Sequence, residues 1–386
     1  MMKLLKAFKT EINPTNEQII KINKTIGTCR FIYNFYLSHN KEVYEKEKNF
    51  ISGYDFSKWL NNEFIPNNPE YMWIKEVSSK AVKQSIMNAE KAFKRFFKGL
   101  SKFPRFKKKR NQDVKCYFPK NNKTDWEVER HKIKIPTLGY IKLKEKGYIP
   151  NLVKSGTIEF KAGRYYVSVI CEVPDIEIQK NNSNDGLGID LGIKDFAILS
   201  KGKPYKNINK TKKVKKLEKK LKRQQKRLSR KYESLKQRKK KGVATRQNIQ
   251  KQIVKVQKLH QRLTNTRTDY INKTVNEIVK TKPSYITIED LNVSGMMKNR
   301  HLSRAIAGQK FYEFKTKLQN KCNINSIELR IVDRFYPSSK MCSQCGQIKK
   351  DLKLSDRVYK CECGFSIDRD LNAAINLENA KIYKIA

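Results

Sequence analysis

This sequence predicts an α/β chain with added helical and β modules, and three patterns predict it. Apolar residues recur at helical spacing through the first hundred positions, period-two alternation runs from 114 to 173, and short apolar strands then flank a long basic helical stretch. At 386 residues the chain has room for two or three cores. Its 85 Lys and Arg against 37 Asp and Glu give a formal charge of +48, which repels itself unless a polyanion neutralises it. Nucleic acid is therefore the expected partner. The opening MMKLLKAFKTEINP lacks the apolar stretch and cleavage site of a signal peptide, and no run approaches the roughly 18 apolar residues of a membrane span. No membrane association is expected, because neither an amphipathic apolar face nor a lipid anchor is visible.

Taken in order, residues 3–12 alternate as a strand. Thr15 and Gln18 then stand at capping-box spacing and open a helix whose stripe is Ile19, Ile22, Ile26, Cys29, Tyr33 and Tyr36. Further helices reach about residue 100, where KAFKRFFK and FPRFKKKR interleave aromatics with bases. The alternating stretches 132–136, 140–143, 155–160 and 165–173, separated by Gly, Pro and Asn turns, predict a small β-barrel. Residues 176–185 are a polar linker and the clearest domain boundary. GIDLGIKDFAIL (188–199) reads as a buried strand turning into a second. Residues 201–270 hold 27 Lys and Arg against three acids, and Val214, Leu221, Leu228, Leu235 and Ile249, Val256, Leu263, Tyr270 recur every seven residues on either side of a break at 239–242. That is a helical hairpin with an apolar seam and a basic exterior. So many like charges cost stability unless phosphates lie against them, which makes Lys212, Lys216, Arg223 and Arg227 candidate nucleic-acid contacts. Two more strands, 284–291 and 326–332, and a helix over 370–380 complete the chain.

Three acids interrupt or end apolar elements. Asp190 lies within a strand, Glu289 ends one, and Asp370 starts a short amphipathic helix. A buried carboxylate needs a cation, a donor or water. Singly each has an ordinary explanation, and Asp370 or Asp368 fits a helix N-cap as well as a ligand. Together, a strand Asp, a strand-end Glu and a helix Asp are how a ribonuclease-H-like sheet gathers three carboxylates at one edge. Two Mg²⁺ ions held there suit phosphodiester hydrolysis. The four histidines are isolated, so histidine chemistry is not expected. Cys342-x-x-Cys345 and Cys361-x-Cys363, 15 residues apart and each followed by Gly, form a ribbon of the kind that holds one structural Zn²⁺, although the second pair is a residue shorter than usual. The other four cysteines are scattered, so a reducing compartment is expected and a disulfide framework is not. The glycines around Asp190 also resemble the phosphate loop of actin-like ATPases, but no second such loop follows and a charge of +48 has no use there.

GIDLGIKDFAILS (188–200), TIEDLNVSGMMKN (287–299), RFYPSSKMCSQCG (334–346) and CECGFSIDRDLNAAINL (361–377) closely resemble the TnpB family of transposon-encoded, RNA-guided DNA endonucleases, relatives of type V CRISPR effectors. The likeness covers essentially the whole chain. It implies a wedge domain whose first strand is 1–12 and whose β-barrel is 101–175, with a helical recognition lobe inserted at 13–100. After the linker 176–185 would come a RuvC nuclease domain over 186–386, with the basic hairpin at 205–280 and an inserted zinc ribbon at 338–366. In those motifs Asp190, Glu289 and Asp370 fall on the catalytic, magnesium-binding acids, and Cys342, Cys345, Cys361 and Cys363 on the zinc ligands. WIKEVSSKAVKQS (73–85) and FPRF (103–106) also match, so Tyr54, Lys80, Lys83, Gln84 and Arg105 fall where nucleic-acid contacts are expected. The resemblance further implies a guide RNA from the transposon end, a double-stranded DNA target cut beside a short protein-read motif, one protein chain per RNA, and a prokaryotic cytoplasmic, nucleoid-associated location. Two rivals are a non-catalytic nucleic-acid-binding regulator of transposition, with the acids as caps, and a transposase that transfers strands.

Overall fold

The computed structural model describes residues 4–108, 114–120, 122, 124–174, 185–236, 245–353 and 356–386. The chain divides into two compact units, 1–176 and 177–386. The linker at 176–185, except Asp185, and the hairpin break at 239–242 lie outside the described residues.

In the first unit, β1 (Leu4–Asn13) leads into α1 (Asn16–Glu47). The Thr15 hydroxyl accepts from the Gln18 N–H and the Gln18 side chain accepts from the Thr15 N–H, which satisfies two orphan donors at the helix start. The helix ends where Lys48 turns left-handed, at φ 54°. Its buried stripe includes Ile22, Ile26, Cys29, Ile32, Tyr33 and Tyr36. Tyr36 meets Phe56 of α2 (Gly53–Trp59) edge-to-face at 5.0 Å, and Phe93 of α3 (Ser79–Phe97) joins the same aromatic core. The strands β2 (Val114–Pro119), β3 (Glu127–Val128), β4 (Lys132–Ile135), β5 (Gly139–Leu143), β6 (Val153–Lys161) and β7 (Arg164–Val173) join β1 in one antiparallel sheet. Its order is β2-β6-β7-β1-β5-β4-β3. Inward residues from both ends of that order, among them Phe118, Ile133, Ile141, Ile158 and Val167, share a single core with Trp126.

The second unit begins with β8 (Gly186–Leu191), β9 (Asp195–Leu199) and β10 (Pro204–Lys206). α4 (Lys212–Lys236) and α5 (Arg246–Lys280) pack through Val214, Leu217, Leu221, Val256 and Leu263 and leave most of their basic side chains outward, while Arg267 turns in to pair with Glu218 at 2.8 Å. Then come β11 (Tyr285–Glu289), α6 (Ser303–Gln309), α7 (Phe311–Ile324) and β12 (Glu328–Val332). The strand expected at 326 starts two residues later because Ser326 has φ 52°, which no strand tolerates. A two-stranded ribbon, β13 (Val358–Lys360) with β14 (Ser366–Asp368), precedes α8 (Arg369–Glu378) and β15 (Lys384–Ile385). The six-stranded order is β10-β9-β8-β11-β12-β15. β8, β11 and β12 run parallel while β9 is antiparallel to β8, so the C-terminal ends of the parallel strands open at one edge. Buried residues of α5, α6 and α7 join those of the sheet in one core.

Candidate catalytic and metal sites

The parallel register sets the three acids. Thr287 lies beside Gly188 and Ile288 beside Ile189, so the next step brings Glu289 level with Asp190. Side chains alternate along a strand, hence Asp190 shares a face with Gly188. That face is where α8 lies. A Cβ on Gly188 would sit 1.9 Å from the Ala374 carbonyl oxygen and 2.5 Å from the Glu378 nitrogen. The missing side chain lets α8 press against β8 with its N-terminal turn toward the sheet edge. At that turn Asp368 is the N-cap, its carboxylate accepting from the N–H groups of Asp370 and Leu371 at 3.0 and 3.1 Å. The two candidates at this helix start thus divide: Asp368 caps, and Asp370 faces the cavity.

Asp190, Glu289 and Asp370 line one cavity of about 670 Å³. All three keep part of their surface accessible. Their oxygens are not gathered as closely as the four cysteine sulfurs described below, the only such cluster among the described residues to converge within 4.8 Å. Burial, reinforced by the charges of Asp370 and Glu289, pushes the Asp190 carboxyl up to about 7 against the opposing pull of Arg369. Burial likewise raises Glu289 to about 7. Arg369 pairs with Asp370 at 3.4 Å, and Arg334, Lys353 and Arg357 bring further positive charge to the cavity wall. A set of oxygen donors held in a partly dry pocket and ringed by cations suits a hard divalent cation and a phosphate together.

The four cysteines converge. Cys345 Sγ lies 3.5 Å from Cys361 Sγ, and Cys342 Sγ lies 3.9 Å from Cys363 Sγ. These bracket the edge of about 3.8 Å expected for a tetrahedron of sulfurs around an ion at about 2.3 Å. The short Cys-x-Cys pair therefore reaches. Gly346 and Gly364, at φ 78° and 85°, turn the chain sharply after each pair, a conformation that costs a residue with a Cβ about 1 kcal/mol or more.

Two buried asparagines, which sequence reading passes over, join the cysteine ribbon to the acid-bearing helix. Asn372 donates to the Met341 carbonyl at 2.7 Å and accepts from the Ser343 N–H at 3.0 Å, and Asn376 donates to the Ser338 and Met341 carbonyls. Their spacing of four on an otherwise apolar helix face was the available signal. Sequence reading also passes over the cavity cations Arg334, Lys353, Arg357 and Arg369, although Arg334 opens the RFYPSSK stretch.

The expected nucleic-acid contacts of the first unit fall into separate places. Gln84 and Arg105 line one cavity beside Cys29 and Lys107. Lys83 lies over the ring of Tyr54 at 5.8 Å, and Tyr54 is 66% exposed. Lys80 lies in another pocket and is paired with Asp125 at 2.6 Å. Lys212, Lys216, Arg223 and Arg227 are all exposed on α4.

Comparison with known proteins gives three family matches: residues 1–49 to "Helix-turn-helix domain", 168–300 to "Probable transposase", and 311–377 to "Cas12f1-like, TNB domain". Within 1–49 the described residues form a strand and one 32-residue helix. A chain of Escherichia coli (strain K12) named "Putative RNA-guided DNA endonuclease InsQ" is 31% identical over 97% of this chain and 92% of its own length. A chain of Streptomyces pristinaespiralis named "Putative RNA-guided DNA endonuclease" is 30% identical over 98% of this chain and 89% of its own length. The solved structure titled "Structure of the mini-RNA-guided endonuclease CRISPR-Cas_phi3" superposes with a TM-score of 0.50 at 12% identity, covering 98% of this chain and 92% of that one, a likeness of fold.

Proposed function

From this chain's membership of the TnpB family of transposon-encoded, RNA-guided DNA endonucleases, we propose that it cuts target DNA at the Asp190–Glu289–Asp370 cavity with divalent-cation assistance. The observation that carries the site is the shared cavity, with Asp190 and Glu289 both pushed up to about 7. The sheet order, with the parallel strands β8, β11 and β12 side by side and β9 antiparallel at the flank of β8, supports a ribonuclease-H-like RuvC domain. The seven-stranded sheet curled on one core supports the wedge barrel, and the aromatic helical core supports the recognition lobe.

Asp190, Glu289 and Asp370 would hold the cation, two ions in the reading we favour. A divalent cation there supplies Lewis acidity for phosphodiester hydrolysis. Arg334, Lys353 and Arg357 orient the phosphate, and Arg369 offsets the acids until the cation arrives. The basic hairpin holds the RNA and its duplex with DNA by backbone and shape, and base pairing selects the sequence. Gln84, Arg105 and the Tyr54–Lys83 pair would read the short motif beside the target. One chain acts on one RNA.

The titration of the acids gives a test separate from cutting. Because both folded values lie above the ordinary carboxylate range, their protonation supports the cation-free fold fully below about pH 4, and that support is lost as the pH rises through about 7. Removing one acid relieves the strain. Asp190→Asn in EDTA at pH 8 is expected to gain on the order of 1 kcal/mol, about 2–4 °C in melting temperature, after discounting for its partial exposure. The gain should shrink toward pH 4. A melting difference independent of pH would contradict the assigned burial.

The four thiolates would hold one zinc ion, with no ligand position left open. Stripping it with a chelator is expected to release one equivalent of zinc per chain, read by a metallochromic dye, and to lower the melting temperature. Through Asn372 and Asn376 the loss should also slow cutting. Release of no metal from folded protein would overturn the zinc assignment.

The RNA test is direct. RNA that co-purifies with the chain should end in sequence flanking the transposon, and its affinity should fall steeply with salt, about 10³-fold or more between 50 and 200 mM. A shallow dependence would contradict the role of the basic hairpin.

A further inference from the structure

Phe335 is 85% exposed, and it lines the same cavity as the three acids. A single exposed aromatic is ordinary on a protein surface. This one is held out at a site where a nucleic-acid strand would lie. Its N–H donates to Asp333 Oδ1 at 2.9 Å, and the next N–H, of Tyr336, donates to the Asp333 carbonyl at 3.0 Å. The Tyr336 hydroxyl donates to the Asn376 carbonyl of α8 at 3.1 Å, and Arg334 reaches Asp290 at 3.6 Å. The residues on both sides are thus tied to the elements that carry the acids, while the ring between them stays open.

We infer that Phe335 is a stacking platform for an unpaired nucleobase of the DNA strand being cut, placing the neighbouring phosphodiester against the acids. The inference rests on the endonuclease reading above. A paired base in a duplex already stacks on both faces, so the ring gains from a strand only where it is single. The cations of the cavity, Arg334 foremost, suit the backbone on either side of that base. Stacking on an aromatic tolerates any base, which fits a nuclease whose choice of sequence lies in its guide and not in its cutting site.

The test compares wild type, Phe335→Ala and Phe335→Trp, each as the full chain with its co-purified RNA. Because the ring is exposed, all three should melt at the same temperature. A short single-stranded DNA carrying 2-aminopurine should be quenched on binding to wild type and to Phe335→Trp, and not to Phe335→Ala. In guide-directed cutting, Phe335→Ala should be about tenfold slower and Phe335→Trp close to wild type. An abasic position scanned along the cut strand should slow wild type by a similar factor at one place and leave Phe335→Ala unaffected there. Quenching unchanged in Phe335→Ala, or an abasic scan that affects both chains alike, would overturn the inference. If no chain cut, the endonuclease reading would fail by itself, and the quenching result would still decide whether Phe335 stacks.

Discussion

Replacing Asp190 with alanine is expected to abolish DNA cutting, by at least about a thousandfold, while the chain keeps its RNA and binds its target. The expectation separates the two charges of this protein. Binding is the work of many exposed cations spread over the chain, and no single acid contributes to it. Cutting needs the few oxygens of one cavity, where burial and the charges of Asp370 and Glu289 together push the Asp190 carboxyl up. Asp370→Ala should behave the same way. Asp368→Ala is the matched control, because it removes a cap two residues away and should cost only about 1 kcal/mol of helix stability with cutting retained. Gel-shift and plasmid-nicking assays on the three variants check this together. Cutting that survives in Asp190→Ala, or is lost equally in Asp368→Ala, would contradict the assignment of the site.

Gly188→Ala is the second large effect, and it acts without touching a reacting group. The new methyl would meet backbone, the Ala374 carbonyl and the Glu378 nitrogen, which have no rotamer by which to move aside. The helix must lift from β8. Overpacking of this kind costs about 2–3 kcal/mol, some 5–10 °C in the melting temperature of a unit this size. The same shift carries Asp370 away from Asp190, so cutting should fall a hundredfold or more in whatever fraction remains folded. Gly192→Ala, whose Cβ would lie 3.0 Å from the Asp195 carbonyl, is milder because a shift of a few tenths of an ångström relieves that contact. A Gly188→Ala protein that melts and cuts like wild type would show that the contact does not position the acid.

What the sequence revealed and what it withheld follow from the range of the forces involved. Thr15 and Gln18 mark their helix because a capping box is closed by groups three residues apart. The basic hairpin was legible because its seam repeats every seven residues on each helix. The acids were legible as a set because a carboxylate amid apolar residues is costly wherever it folds. Whether Asp368 or Asp370 caps the last helix was not legible from spacing. Both types suit the cap, and the choice depends on backbone angles at the ribbon's end. The short strands at 127–128, 358–360, 366–368 and 384–385 hold too few residues for a period to show, and partners distant in sequence specify them. Phe335 stood in view in the RFYPSSK stretch, yet only the turn made by Asp333 shows that it points outward beside the acids.

The central claim, that one cavity cuts DNA chosen by a bound RNA, is tested by exchanging the guide. The purified chain is loaded with an RNA carrying a new guide segment and offered two plasmids, one matching that segment and one not. With magnesium, only the matching plasmid should be cut, and neither should be cut in EDTA or by Asp190→Ala. Cutting that ignores the guide, or that persists without both the cation and Asp190, would contradict the account.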